Sequence, residues 1–288
     1  MRKKQRALFH LKVLVFFLFF LLVGVLIAYR STVRFNSIIS TFPLLHRYQE
    51  SPKKLIEERH IQGPLPDIIE HGSRDYPMVA LTFDADMTEG MYHLLITKQI
   101  SSLYNEDIKR TLDREHVKAT IFLSGLWVYA YPQITLELAR DPLIELGNHS
   151  FSHPAFTADC YNLPSIPDSK DFDQVELAQI IIERETGISP KYFRFPGGCF
   201  DPNDLKTVMK LGLKVVHWDV VAEDGFNYNT NSIVNNVLTR VQNGSIVVFH
   251  FHGNIFAPKT NDALQIIIPA LKKRGFKFVT VSELLAAQ

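Results

Sequence analysis

Seven short apolar runs alternate with helix-like stretches along most of this chain, and that alternation constrains its fold more than any other feature. The runs lie near 78–83, 118–123, 143–146, 192–195, 214–218, 245–250 and 277–281. They are nearly continuous in apolar residues, the pattern of parallel strands covered on both faces. Between them the spacing predicts helices near 90–115, 132–140, 173–186, 202–211, 232–242 and 262–274. Asp201-Pro202 opens one of these, and Gly187 and Gly275 close two others. Such a series of βα units predicts a closed or nearly closed α/β barrel, with a doubly wound open sheet as the alternative. In either fold the chemistry belongs at the C-terminal strand ends.

The N-terminal part is of a different kind. Residues 1–12 carry Arg2, Lys3, Lys4, Arg6 and Lys12 and no acid, and Val13 to Tyr29 is uncharged and apolar. No small-x-small cleavage pattern follows, so the run reads as an uncleaved transmembrane anchor in preference to a signal peptide. The basic flank places the N-terminus in the cytoplasm and the remainder outside it. The chain therefore divides into a basic cytoplasmic tail (1–12), an anchor (13–29), a Pro-containing stalk (30–75) and a globular domain (76–288). Six of the 31 Lys/Arg lie in the first thirty residues, leaving 25 against 30 acidic residues. That acidic balance argues against a nucleic-acid partner. Cys160 and Cys199 match no zinc-finger spacing. Outside the cytoplasm they either stay free or form one disulfide.

The residues that carry chemistry fall at the expected strand ends. His149 and His153 stand four apart, a spacing that lets two imidazoles on one helical turn share a metal ion. Asp84 and Asp86 follow the first apolar run and offer carboxylates for a ligand and a general base. Arg194 precedes Phe195-Pro196-Gly197-Gly198, and His250 ends Ile246–Phe249 with His252 two residues on.

This ordered set resembles the polysaccharide deacetylase family, the NodB-homology domain of carbohydrate esterase family 4, over roughly residues 76–285. Thr82-Phe83-Asp84 matches the start of the first family motif, and His149-Ser150-Phe151-Ser152-His153 matches all of the second. Arg194, Pro196 and Gly198 match the third, Asp224 retains part of the fourth, and Val248-Phe249-His250 stands for the fifth. The resemblance implies a deformed (β/α)7 barrel, one divalent metal (commonly zinc), and removal of N-acetyl groups from an amino-sugar polymer. It implies Asp84 as base, His149 and His153 as ligands, His250 as acid and Arg194 as the tether of the base. Pro196, Gly198 and Trp218 would border the substrate.

Two departures leave alternatives. Ala85 stands where the family has its ligand Asp, so Asp86 is the expected third ligand through a one-residue shift; otherwise Asp84 ligates and the base is lost. Val221 replaces the carboxylate expected to face Arg194, a place Asp219 or Asp224 could fill. The expected protein is a membrane-anchored, metal-dependent deacetylase of an envelope glycan. A non-catalytic glycan-binding relative and a small-molecule amide hydrolase are the other two readings.

Overall fold

The computed structural model describes residues 67–287. The basic tail, the expected anchor and the stalk as far as residue 66 lie outside the described residues. Among the described residues, no helix is long and apolar enough to cross a membrane.

The strands are β1 (Met78–Ala85), β2 (Ala119–Leu123), β3 (Ile144–Asn148), β4 (Tyr192–Phe193), β5 (Lys214–Val215), β6 (Val220–Val221), β7 (Ser245–His250) and β8 (Lys277–Phe278). The first helices are α1 (Glu89–Ile96), α2 (Glu106–Glu115), α3 (Gly125–Ala130) and α4 (Pro132–Arg140). They are followed by α5 (Asp171–Thr186), α6 (Pro202–Lys210), α7 (Thr230–Arg240), α8 (Thr260–Lys273) and α9 (Val281–Ala286). The strands pair in the order β5-β4-β3-β2-β1-β7-β6, with β8 against β1, and each of these pairings is parallel.

This path cannot be flat. β5 and β6 stand at its two ends, yet only residues 216–219 join them. Six inter-strand steps of about 4.8 Å would put them roughly 29 Å apart, and five Cα steps reach about 18 Å at most. The sheet therefore curls into an incomplete barrel. The gap between its ends is crossed by residues 69–71: Ile69 bridges to Val216 and His71 to Ser245. The sequence reading put these residues in the stalk, whereas here they pair with the sheet.

Period-two alternation fixes what the barrel encloses. Ala80, Thr82 and Asp84 point to one face of β1, and the register sets Ala80 against Ile246 and Asp84 against both Phe122 and His250. Ala80, Phe122, Tyr192, Val216 and Ile246 pack together with Val281 and Leu284 of α9. Helix α9 thus covers one end of the barrel with apolar side chains, and the other end carries the polar tips.

Each of the seven expected runs contains a strand, shortened to two residues in β4, β5 and β8, and β6 is an eighth that the sequence did not reveal. The expected helix over 90–115 is two helices, because Thr97 ends α1 and the Asn105 side chain accepts from Asp107 N to start α2. Asp201 opens α6 with a capping box, and Gly187 closes α5 in the left-handed conformation.

Candidate active site and metal centre

Asp84 and His250 are direct register partners on adjacent strands, so the fold places an acid and an imidazole side by side at the polar mouth. Asp84 Oδ1 accepts from Arg194 Nη1 at 2.8 Å. Arg194 is itself fully buried, with Nε donating to Val216 O at 3.3 Å and Nη2 to His217 O at 3.1 Å. Its guanidinium also stacks 4.1 Å from the centroid of Phe122. Burial pushes this guanidinium below its ordinary range, and Asp84 opposes the shift. The pair is well determined in position because the Arg fork is satisfied on three sides.

The two histidines come from a loop, which corrects the helical turn expected from their spacing. Ser150 and His153 both adopt left-handed backbone, with φ of 64° and 55°. Asn148 Oδ1 accepts from Ser150 N at 2.9 Å, and Gln174 Oε1 accepts from the Phe151 and Ser152 amides at 3.1 and 2.9 Å. These side chains supply the partners that helix formation would otherwise give the backbone. Gly147 permits the close approach before the loop: a Cβ there would lie 2.4 Å from the Phe122 ring.

The loop aims both imidazoles at one oxygen. Asp86 Oδ1 lies 3.3 Å from His149 Nε2 and 3.4 Å from His153 Nε2. Ala85 sits on the strand at the opposite parity, and Asp86 returns to the inward side one residue later. Among the described residues, only Asp86, His149 and His153 form a cluster of at least three His, Cys, Asp or Glu with ligand atoms within 4.8 Å of one another.

Several observations fit a divalent cation at this cluster. Asp86 Oδ1 and His149 Nε2 are buried and have no hydrogen-bond partner. His149 Nδ1 donates to Arg194 O at 2.8 Å, which leaves Nε2 as the bare nitrogen. Burial would raise the Asp86 carboxyl, but His153, His149, His252 and His250 outweigh it and hold it well below the usual range. Burial pushes His153 down to about 4, so its imidazole is neutral near pH 7. Burial also works against a charged His149, but Asp84 and Asp86 reverse the shift and raise its pKa above the ordinary imidazole value.

His250 forms the other half of the mouth. Its Nδ1 lies 2.8 Å from Asp224 Oδ1, its backbone amide donates to Asp224 Oδ2 at 2.9 Å, and Thr260 Oγ1 donates to the same oxygen at 2.5 Å. Burial opposes a charged ring, yet Asp224, Asp86 and Asp84 push His250 up to about 10. Burial would raise Asp224, and His250 holds it below the carboxylate range. Gly225 leaves the ring room, since a Cβ there would approach His250 to 3.2 Å.

The remaining expectations divide. Pro196 and Gly198 form the turn after Arg194, and a Cβ on Gly198 would lie 2.5 Å from Trp218. Trp218 stacks on His217 with centroids 4.0 Å apart, so one face of its ring is already covered. Neither Asp219 nor Asp224 faces Arg194: Asp219 holds Arg74 and Ser245, and Asp224 holds His250. The Arg194 fork is instead completed by backbone carbonyls of 216 and 217. Cys160 and Cys199 form a disulfide that ties the loop after the His pair to this turn. Sequence reasoning missed Gln174, the Asp224–His250 pairing and the setting of His252. Asp224 and His250 each belong to a family motif but nothing local pairs them, and the only signal for His252 was its nearness in sequence to His250.

The profile of the polysaccharide deacetylase family matches residues 71–216. This chain belongs to the polysaccharide deacetylase family. Within that family it is 32% identical over 170 residues to a peptidoglycan-N-acetylglucosamine deacetylase of Bacillus cereus, covering 59% of this chain and 59% of that one. A solved peptidoglycan N-acetylglucosamine deacetylase superposes with a TM-score of 0.64 at 28% identity, covering 76% of the deacetylase-family chain and 92% of its own. A family 4 pseudoenzyme from Bacillus anthracis superposes with a TM-score of 0.62 at 25% identity, covering 76% and 69%. The deformed α/β barrel is the fold shared with these relatives.

Proposed function

We infer that this chain is a metal-dependent N-deacetylase acting on an N-acetylated amino-sugar polymer of the cell envelope. The observation that carries the reading is the convergence of Asp86, His149 and His153 beside the Arg194–Asp84 pair and the Asp224–His250 pair. Asp86 Oδ1 and the Nε2 atoms of His149 and His153 would hold the ion, with zinc first among candidates for a two-nitrogen, one-oxygen set. When bound, the ion supplies Lewis acidity, polarising the acetamide carbonyl and acidifying water.

The chain's own groups move the protons. Asp84, held by Arg194, takes the proton from the attacking water. His250, held in its protonated form by Asp224, gives one to the departing sugar amine. Each such transfer contributes roughly 10²–10⁴-fold to rate. Gly225 leaves the His250 side of the mouth open, and exposed Phe226 beside it offers a ring to a sugar face. The apolar run 13–29 with its basic flank supports membrane attachment with the domain outside the cytoplasm, and the disulfide suits an oxidising compartment.

The test uses the full chain. Bound metal is quantified by elemental analysis, and acetate release from N-acetylglucosamine oligomers and peptidoglycan is followed before and after chelation. One ion per chain with chelator-sensitive release supports the reading. A second reading, a non-catalytic glycan-binding relative, is favoured by Ala85 at the family's ligand position and by likeness to the pseudoenzyme. Glycan retention with no acetate release on any of these substrates would establish it instead.

A further inference from the structure

Tyr161 has no place in the chemistry described above, yet its exposure and its backbone both stand out. It is 83% exposed, the most exposed of the large apolar and aromatic side chains among the described residues. Its φ is 48° and that of Asn162 is 58°. Leu163 N donates to Cys160 O at 2.9 Å, which closes a tight turn whose two central residues are both left-handed. Asn suits such a position, and a bulky aromatic residue does not. A residue in this state persists only where its surroundings hold it, and such residues gather at ligand sites.

The surroundings hold Tyr161 from two sides. Two residues beyond His153, Ala155 N donates to Pro164 O at 2.9 Å and Ile166 N donates to Ala155 O at 3.3 Å, pinning the base of the loop. The Cys160–Cys199 disulfide staples its tip to the turn after β4. A Cβ on Gly197 would lie 2.5 Å from Cys160 Sγ and 3.3 Å from Tyr161 Cδ2, so the ring edge rests on that glycine. Around the barrel the strands run from β1 to β5, then through β6 and β7 back to β1. Tyr161 belongs to the connection after β3 and rests on the turn after β4, whereas exposed Phe226 follows β6 and packs on Phe256 after β7. Three of the seven strand intervals separate these positions, so the two rings stand on opposite rims of the mouth. Strands about 4.8 Å apart and tilted give a mouth roughly 11–15 Å wide, which a polymer bridges and a single sugar ring does not.

We propose that Tyr161 is a stacking platform for a pyranose ring of the N-acetylated polymer, set opposite Phe226 so that the glycan lies across the mouth between them. The proposal rests on the glycan reading above and deepens it: the site takes an extended chain, and the disulfide loop fixes one of its contacts. One face of a pyranose presents C–H groups, an apolar surface that a free aromatic face can cover while the hydroxyls stay wet. The neighbours of Tyr161 suit that ligand better than a membrane, because Asp159 and Asn162 beside it are exposed and polar. Trp218, the other aromatic at this turn, already has one face against His217.

The test uses the full chain and titrates N-acetylglucosamine oligomers, from the dimer to the hexamer, by calorimetry, with acetate release followed on the same samples. Tyr161→Ala should weaken hexamer binding about 2–10-fold, the scale of one ring contact, and the loss should grow from dimer to hexamer. In acetate release the same change should raise KM and leave kcat near its wild-type value. Tyr161→Phe should keep the wild-type affinity. Tyr161→Asn, a residue the left-handed turn accepts, should lose as much affinity as Tyr161→Ala while melting no lower than wild type, which separates a lost contact from a damaged loop. Unchanged hexamer affinity in Tyr161→Ala overturns the proposal, as does a loss equal at every length or wild-type protein that binds no oligomer. Wild-type protein that binds the oligomers through Tyr161 but releases no acetate overturns the deacetylase reading instead and leaves the platform in place.

Discussion

Asp84 and His250 face each other across β1 and β7 as register partners, but each is held by a different buried group, Arg194 for the acid and Asp224 for the imidazole. The two side chains are thus set independently, although they share one strand pair. The separation makes their contributions separable by experiment.

Asp84→Asn and Asp86→Ala should fail in different ways. Asp84→Asn should retain zinc and lower kcat about 10²–10⁴-fold, as expected for a lost base. Asp86→Ala should lose zinc and activity together. Metal content and acetate release on the same samples check both, and metal-free Asp84→Asn would make Asp84 the ligand.

The Asp224–His250 pair predicts a pH signature in chelator-treated protein. His250 is raised to about 10, above its unfolded value near 6.5, so its stabilisation is complete below about 6.5 and disappears as pH rises through about 10. The gap in melting temperature between wild type and Asp224→Asn should be widest near pH 6 and narrow steadily towards pH 10. A gap independent of pH would refute the pairing as an ionic one.

A second titration lies away from the mouth. Asp171 and Asp204 are both 2% exposed at the starts of α5 and α6, and Asp171 Oδ1 has no partner. Burial, with Asp204, Asp168 and Asp201, pushes Asp171 up to about 8. A raised carboxyl stabilises fully below its unfolded value near 3.9 and loses that contribution as pH rises through about 8. Asp171→Asn should therefore gain on wild type between pH 5 and 8 and run parallel to it above pH 9. Thermal melts across that range decide the matter.

The disulfide closes a loop of sequence separation 39. Replacing Cys160 and Cys199 together by Ser should lower stability by about 2–4 kcal/mol in denaturant titrations. Zinc affinity should change far less than stability, because the histidine loop keeps its Asn148 and Gln174 contacts.

Much of this molecule was legible from its sequence, for physical reasons that also explain the rest. β1 and β7 are buried on both faces, so their apolar runs announce themselves. Val220–Val221 is too short to do so, and α3 (Gly-Leu-Trp-Val-Tyr-Ala) has no polar face to mark a helix. Val279-Thr280-Val281 read as strand, but the Thr280 and Glu283 capping box starts α9 there. Asp86 was reached from the sequence only as a one-residue shift from Ala85, and its inward parity after 80, 82 and 84 is visible only once the strand is placed. The loop form of the histidine pair had one signal, Pro154, which disfavours a helical residue before it. Leu103 and His252 meet across 149 positions, a contact that no local pattern encodes.

The residues that cross the barrel's gap have a mechanical consequence. Ile69 N donates to Val215 O at 3.0 Å and Ile69 O accepts from His217 N at 2.7 Å, so the chain ahead of β1 is spliced to the stretch whose carbonyls grip Arg194. Tension arriving from the N-terminal side is delivered first to that splice, one hydrogen bond away from the guanidinium that holds Asp84. The path from the chain ahead of β1 to the Asp84 carboxylate is a short, stiff lever.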